Sequence, residues 1–549
     1  MHVGTTSNRL FLTVGLALLA AACGDGQPPG TGERQTDEFS VYICEPASLV
    51  PMNVDESCGS EVLNALFAPL VEYDLQDAEA LFGDEAPHAV AESVESADQQ
   101  TWTVTLKPGW TFHDGSPVTA QSYVDAWNYA AYQPNAQNNS HFFEKIEGYD
   151  ELQCPEEQQD PEGNCTGEPP EREMSGLRAI DDTTIEVRLS APFSQFPLVL
   201  GYQGFHPVAA SFYDDPQAYE QAPVGNGPFE MDGVWERNQR IRVTRYEDYP
   251  APAPKAAAVE YRIYANPDTA YNELLGDDLD VMDEIPSARL ESAQREFGDR
   301  YIDHEGSRFD YLGFPLYDPR FQNVDLRRAF SMAIDRQAIA AAVKPDWSPA
   351  RSLVSPIVAG AREDPCGQWC EYNPRQAEML LDQAGGYQGT VTLWFNRGGD
   401  HEQWIQAVGN QLRQNLGITD VKFEALEFAQ YLPKLEGQEV TGPFRLGWSF
   451  DFPSIVSYLE PIHSTTGSSN HTGYSNQRVD ALLAQGNQAG SIQQAFDSYH
   501  QAEDLILQDL PVIPMFFGRV IGAYSARVQG VEIDAFEHVN VRDIVVTQG

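Results

Sequence analysis

Two opposite charges stand in an aromatic stretch of the chain. In GPFRLGWSFDFPSIVSYLEP, Gly442–Pro461, Arg445 and Asp451 lie six positions apart among Phe444, Trp448, Phe450 and Phe452. A cation and an anion in apolar surroundings suit a ligand that carries both charges, as a peptide does. They equally suit pairing with other side chains, since structural ion pairs are common. To position them, the aromatic and branched residues of Phe444–Trp448 predict a strand. Pro453 ends its ladder, and a helix is expected from Ser454.

Other chemistry is weakly signalled. His401-Glu402 is half of a zinc-protease pattern, but Ile405 stands where the second histidine belongs. There is no G-x-S-x-G nucleophile elbow. The chain holds 82 acidic residues, so the presence of carboxylate pairs discriminates nothing. An extracellular hydrolase remains the alternative class. His113, His463 and His471 read as turn or surface residues. No cofactor or metal is implied.

Six of the seven cysteines fall as near neighbours, Cys44 with Cys58, Cys154 with Cys165, and Cys366 with Cys370. In an oxidising compartment these three disulfides are expected, although six cysteines allow fifteen pairings. Metal binding competes poorly, for no pair has C-x2-C spacing.

The seventh, Cys23, follows an export signal. Arg9 supplies a weak positive region, and the apolar run Leu10–Ala22 is too short to span a bilayer comfortably. The sequence LLAAAC resembles a bacterial lipoprotein signal, which makes Cys23 the lipidated residue; an ordinary secretory signal is the alternative. Gly24–Glu38 is then a flexible tether reaching on the order of 20 Å. No other stretch is apolar and long enough to span.

At 549 residues the chain needs two or three domains. A net charge of −48 repels nucleic acid and anionic lipid as partners. Strands are expected at Ser40–Ile43, Thr101–Leu106, Thr184–Leu189, Arg240–Tyr246, Phe309–Phe314, Thr390–Phe395 and Val421–Leu426. Helices are expected after the caps Thr119, Asp325, Asp335 and Asn373, across Glu402–Leu416, and from Asn476 and Ser491. Strand texture returns in Leu510–Tyr524. Pro223–Phe229, PVGNGPF, brings backbone close to a neighbour, most simply another strand. The run GDDLDVMDEIP reads as a solvated loop, and Gln153–Glu173 as an exposed insertion. Alternating strands and helices imply an α/β fold with a partly parallel sheet.

The ordered motifs TLKPGWTFHDGSPVTAQSYVDAW, PVGNGPFEMDGVW, DLRRAFSMAIDRQAI, YNPRQAEMLLDQAG, RLGWSFDFPSIVSYL and LPVIPMFF together resemble the peptide/nickel-binding family of extracytoplasmic solute receptors for ABC importers, and most closely the oligopeptide-binding proteins. The resemblance covers the chain from about Ser40 onward. It implies an α/β, two-lobed periplasmic-binding-protein-like fold (type II, with an extra inserted subdomain) and a hinge between lobes. On that pattern 39–60, 202–308 and 510–549 form lobe I, 61–201 is the insert, and 309–509 is lobe II.

The resemblance also implies roles. Asp451 receives a peptide's amino terminus. Arg445, three before Trp448, meets its carboxylate. Ligand backbone pairs with Gly447–Ser449 and with Tyr42–Glu45. Phe428 is the expected ring partner, and Asn470 is expected to line the cleft. The chain departs from its relatives before Arg445, where LPKLEGQEVTG offers Lys434 alone. The expected protein is a monomeric, lipid-anchored receptor outside the cytoplasmic membrane. Its partners are a peptide and ABC permease subunits; a nickel chelate or sugar is the alternative ligand.

Overall fold

The computed structural model describes residues 37–547 except 76–78, 161–164 and 399–400. The signal, Cys23 and most of the tether lie outside the described residues. Among the described residues no helix is long and apolar enough to cross a membrane.

One eleven-stranded sheet organises the chain. Its strands are β1 (Glu38–Ile43), β2 (Phe229–Met231), β3 (Arg240–Arg245), β4 (Ala258–Ile263), β5 (Val281–Met282), β6 (Tyr301–Gly313), β7 (Val391–Asn396), β8 (Val421–Leu426), β9 (Phe444–Trp448) and β10 (Val512–Tyr524). The order across the sheet is β8-β7-β9-β6-β10-β5-β1-β4-β3-β2, with the short strand Ser348–Pro349 off β10. β1 runs parallel to β4 and β5, and β7 parallel to β8 and β9, whereas β6 and β10 are antiparallel. The fold is α/β with a mixed sheet.

β6 and β10 are thirteen residues each and join the two halves of the sheet. Their pairing is interrupted. Tyr301–Glu305 pairs with Arg519–Ala523, the register shifts, and Phe309–Gly313 pairs with Val512–Phe517. An extra residue in one strand bends it and raises its twist. Apolar residues pack on both sides of this bend. Phe39, Val41, Val62, Leu63, Ile241, Val259 and Tyr261 share one core, and Leu312, Phe330, Leu393, Trp404, Ile405, Val408 and Phe516 another.

A separate four-stranded antiparallel sheet (Ala91–Ser96, Thr101–Leu106, Thr184–Arg188, Leu177–Asp181) lies in the stretch between β1 and β2. Its alternation follows the sequence: in Thr101–Leu106, Trp102, Val104 and Leu106 are buried. The helix Ala120–Ala131 starts at Thr119 with a capping box closed by Ser122.

Several local expectations need correction. Asn323 rather than Asp325 caps the helix Val324–Ala333, because its side chain accepts the Asp325 N–H. The helix after Pro453 begins at Val456, two residues late. PVGNGPF lies against the end of helix Ser57–Leu66, not a strand. A Cβ on Gly225 would come within 1.9 Å of the Leu66 carbonyl oxygen, and Asn226 accepts the Ala68 N–H at 3.2 Å. GDDLDVMDEIP is not simply solvated: Asp280 is buried and holds Ser40, Ser525 and Arg527. His463 and His471 are buried, and His113 bridges to Gly225 and Gly227. Disulfides join Cys44–Cys58, Cys154–Cys165 and Cys366–Cys370.

Candidate ligand site

β9 delivers Asp451. The strand ends at Trp448, and Pro453 cannot continue it. The loop is held from the next helix by one residue. Ser457 accepts the Trp448 indole N–H on its carbonyl at 2.8 Å and the Asp451 amide on its hydroxyl at 3.0 Å. Asp451 is partly buried, and no ion pair joins its carboxylate among the described residues. Loss of hydration pushes it up to about 7. Its negative charge acts in turn on Tyr73, Tyr202 and Tyr458, raising all three after burial has done most of that work.

Those rings come from distant segments. Tyr73 stacks on Phe536 at 5.5 Å, Phe536 meets Phe450 edge-on at 4.6 Å, and Tyr202 stacks on Phe142 at 4.1 Å. The Tyr73 hydroxyl is buried and has no hydrogen-bond partner among the described residues. Thus the loop after β9 faces aromatic rings from both the stretch between β1 and β2 and the C-terminal segment. Polar contacts join the same regions. Lys145 meets Glu460 at 3.2 Å, the Ser454 hydroxyl donates to Gln195 at 3.0 Å, and the Ser194 amide donates to the Asn487 carbonyl at 2.7 Å.

Arg445 is arranged differently from Asp451. It is 3% exposed, and its guanidinium donates to Asp310 at 2.7 Å and to Asn396 at 3.0 Å. Burial opposes the charge of Asp310, but Arg445 and then Arg308 outweigh it and hold the carboxyl below its ordinary range. The cation expected to meet a ligand's carboxylate therefore already meets one in the protein. Gly447 makes room for this pair, since a Cβ there would lie 2.4 Å from the Asp310 carboxylate.

The backbone of β9 remains half open. One edge pairs with β6 from Phe309↔Trp448 to Gly313↔Phe444. The other meets β7 only at Trp394↔Phe444. Beyond that point Leu446, Gly447 and Trp448 have no strand on their outer side among the described residues. Such an edge is a template for an added strand.

The other expected residues have surroundings of their own. Tyr42 lies inside β1, buried, with its backbone registered to Arg262 and its ring stacked on Tyr264 at 6.0 Å. Glu45 accepts the Asn238 amide at 2.7 Å and lies 3.7 Å from Arg237. Phe428 opens the helix Phe428–Glu436 with 50% of its surface exposed, as befits a helix start rather than a ring partner. Asn470 spends its amide within its own loop, donating to Ser464 and Tyr474 and accepting from Thr472. Ser449 is exposed beside Trp448. Sequence reasoning missed Asp310, Ser457, Tyr73 and Tyr202. Only Asp310 left a signal, as the lone acid inside the apolar strand RFDYLGF.

An interrupted central strand pairing, a half-open strand edge and a carboxylate with no ion-pair partner among the described residues are features that suit ligand binding. Comparison with known proteins narrows the class. The model of the bacterial extracellular solute-binding proteins, family 5, matches residues 86–470, and the chain belongs to that family. The oligopeptide-binding protein OppA of Bacillus subtilis is 24% identical over 539 residues, covering 94% of each chain. The probable deoxycholate-binding periplasmic protein YgiS of Escherichia coli is 26% identical over 500 residues, covering 88% of this chain and 89% of its own. The fold matches that of the Escherichia coli murein tripeptide binding protein MppA, with a TM-score of 0.77 at 21% identity, covering 93% of this chain and 99% of the other. The architecture is the two-lobed type II binding-protein fold, and family membership makes the chain a binding protein rather than an enzyme.

Proposed function

We propose that the chain captures short peptides between its lobes and delivers them to an ABC permease, as a receptor tethered outside the membrane through Cys23. The observation that carries the peptide assignment is Asp451, a carboxylate withdrawn from water that meets no cation among the described residues. A peptide's ammonium group supplies the missing charge, and the free edge at Leu446–Trp448 pairs with peptide backbone without regard to side chains. Segments 39–60, 202–308 and 510–549 form lobe I, 61–201 the insert and 309–509 lobe II. The register break in β6 supports placing the hinge there. Arg445 sets the edge through Asp310; Trp448 and Ser449 border it.

Calorimetry with tripeptides of free and acetylated amino termini tests the reading. Free peptides are expected to bind, and acetylation to weaken binding about tenfold or more. Equal affinity for the two would remove Asp451 from the site. Native mass spectrometry of the purified protein is expected to show retained peptide. A retained sterol acid would instead favour the ligand class named for YgiS.

A further inference from the structure

The helix Ala120–Ala131 buries Tyr123 and Trp127 on one side and turns a different set of residues the other way. Asp125, Tyr129 and the capping residue Tyr132 follow one another at steps of four and three, so they share that second side. With Arg172 and Glu173, at the end of the insertion, and Tyr213, on the short helix Ser211–Asp214, they line a cavity of about 360 Å³. That volume lies within the range of small-molecule sites. It shares no lining residue with the Asp451 loop or the rings around it.

The walls are held in place. Buried Phe212 meets Tyr129 edge-on at 4.9 Å and Tyr213 at 5.2 Å, and the two tyrosine rings stand at 67° with centroids 5.9 Å apart. The strip that carries Arg172 and Glu173 is pinned on both sides. The Glu171 amide donates to the Glu151 carbonyl at 3.0 Å, and the Met174 amide donates to the Asn128 side chain at 2.8 Å.

The chemistry of this lining favours a cation. Aromatic faces attract positive charge, and Tyr132 already receives one, the Arg172 guanidinium 5.1 Å from its ring centre. Arg172 is 67% exposed and also reaches Glu168 at 3.3 Å, so its head is free to leave the ring. Asp125 accepts the Gln121 side-chain amide at 2.7 Å, and no ion pair joins Asp125 or Glu173 among the described residues. Both acids are exposed and keep their water, so they draw a cation in without gripping it. Contact attraction then falls to the rings, which suit a weakly hydrated charge spread over methyl groups. We propose that this cavity is a second binding site, which takes the quaternary-ammonium head of a small organic cation in place of the Arg172 guanidinium.

Calorimetry on the intact chain with choline chloride, and with its uncharged carbon isostere dimethylbutanol, tests the site. Choline is expected to bind saturably below about 10 mM, and the alcohol about tenfold or more weakly. Tyr213→Ala is expected to weaken choline about fivefold or more, whereas Tyr213→Phe, which keeps the ring, should change it by less than about twofold. Should Tyr213→Ala fail to fold, Asp125→Asn with Glu173→Gln, both at exposed positions, carries the same arm with a loss of about threefold or more. Arg172→Ala should leave choline bound at least as tightly, because a competitor is removed. Phosphatidylcholine vesicles tell the sources of this head group apart: capture of the chain, lost in Tyr213→Ala, assigns it to a lipid, and no capture to a free solute. Equal affinity for choline and the alcohol, or no choline binding, overturns the site. So does tighter binding of glucose than of choline, which would make this a sugar site. Choline binding that survives Tyr213→Ala unchanged would place the cation elsewhere, in the Asp451 cleft for instance, and overturns it as well.

Discussion

Asp310, on β6 opposite Gly447, and Asp451, three residues after β9, are both shielded from water, and they meet the cost in opposite ways. Asp310 is completely buried and answered by Arg445 at 2.7 Å, with Arg308 behind it. Asp451 is partly buried and answered by no side-chain cation among the described residues. The first acid is held below its ordinary range and the second pushed up to about 7. A carboxylate that the protein neutralises itself builds the scaffold, whereas the one left unneutralised is the group the proposed function assigns to a ligand's charge.

The contrast can be broken most severely at the scaffold. Asp310→Ala leaves the Arg445 charge buried and unpaired, and should destabilise the protein by about 3–5 kcal/mol. Thermal melting reads this as a large fall in Tm, and an unchanged Tm would mean the pair is not structural. Because Asp310 titrates low in the folded protein, its contribution is present at neutral pH and lost as pH falls through the carboxylate range.

Asp451→Asn should do the reverse. It should weaken peptide binding by about 2–5 kcal/mol while leaving Tm unchanged or raised at pH 8, since a poorly hydrated charge is removed. A large fall in Tm with intact affinity would reverse the roles assigned to the two acids.

Gly447→Ala sharpens the comparison, because the new methyl group meets the Asp310 carboxylate directly. A cost of about 1–3 kcal/mol in stability is expected from such overpacking, readable by denaturant unfolding. A neutral result would show that the ion pair can shift.

The pH dependence is gentler. An ammonium group favours the ionised form of Asp451, which titrates at about 7 in the free protein. Affinity should therefore decline as pH falls from about 8 to about 5.5. The decline should disappear in Asp451→Asn; calorimetry at several pH values checks both. The smallest effect is expected for Lys145→Ala. Its ion pair with Glu460 is about one-third exposed, so about 0.5 kcal/mol is at stake.

Much of this molecule was legible before any coordinates. Phe444–Trp448, Thr101–Leu106 and the helix to Leu416 follow from periodicity and proline, because local propensity and burial agree there. The acidic loop before Pro286 was misread because charge alone does not reveal a fold-spanning partner, and Asp280 finds Ser40 240 positions away. The same limit governed the site. Sequence alone singled out Arg445 and Asp451 as opposite charges in an aromatic stretch and left open whether either pairs internally.

Tertiary structure separated them. Pairing of β9 with β6 brings Asp310, 135 positions distant, onto Arg445, while the turn after Trp448 carries Asp451 towards Tyr73 and Tyr202. Residue type and spacing fixed what each group could do. Which of them remained available for a ligand depended on distances between segments far apart in the chain, and Coulomb attraction at a few ångströms in a dry interior decided it.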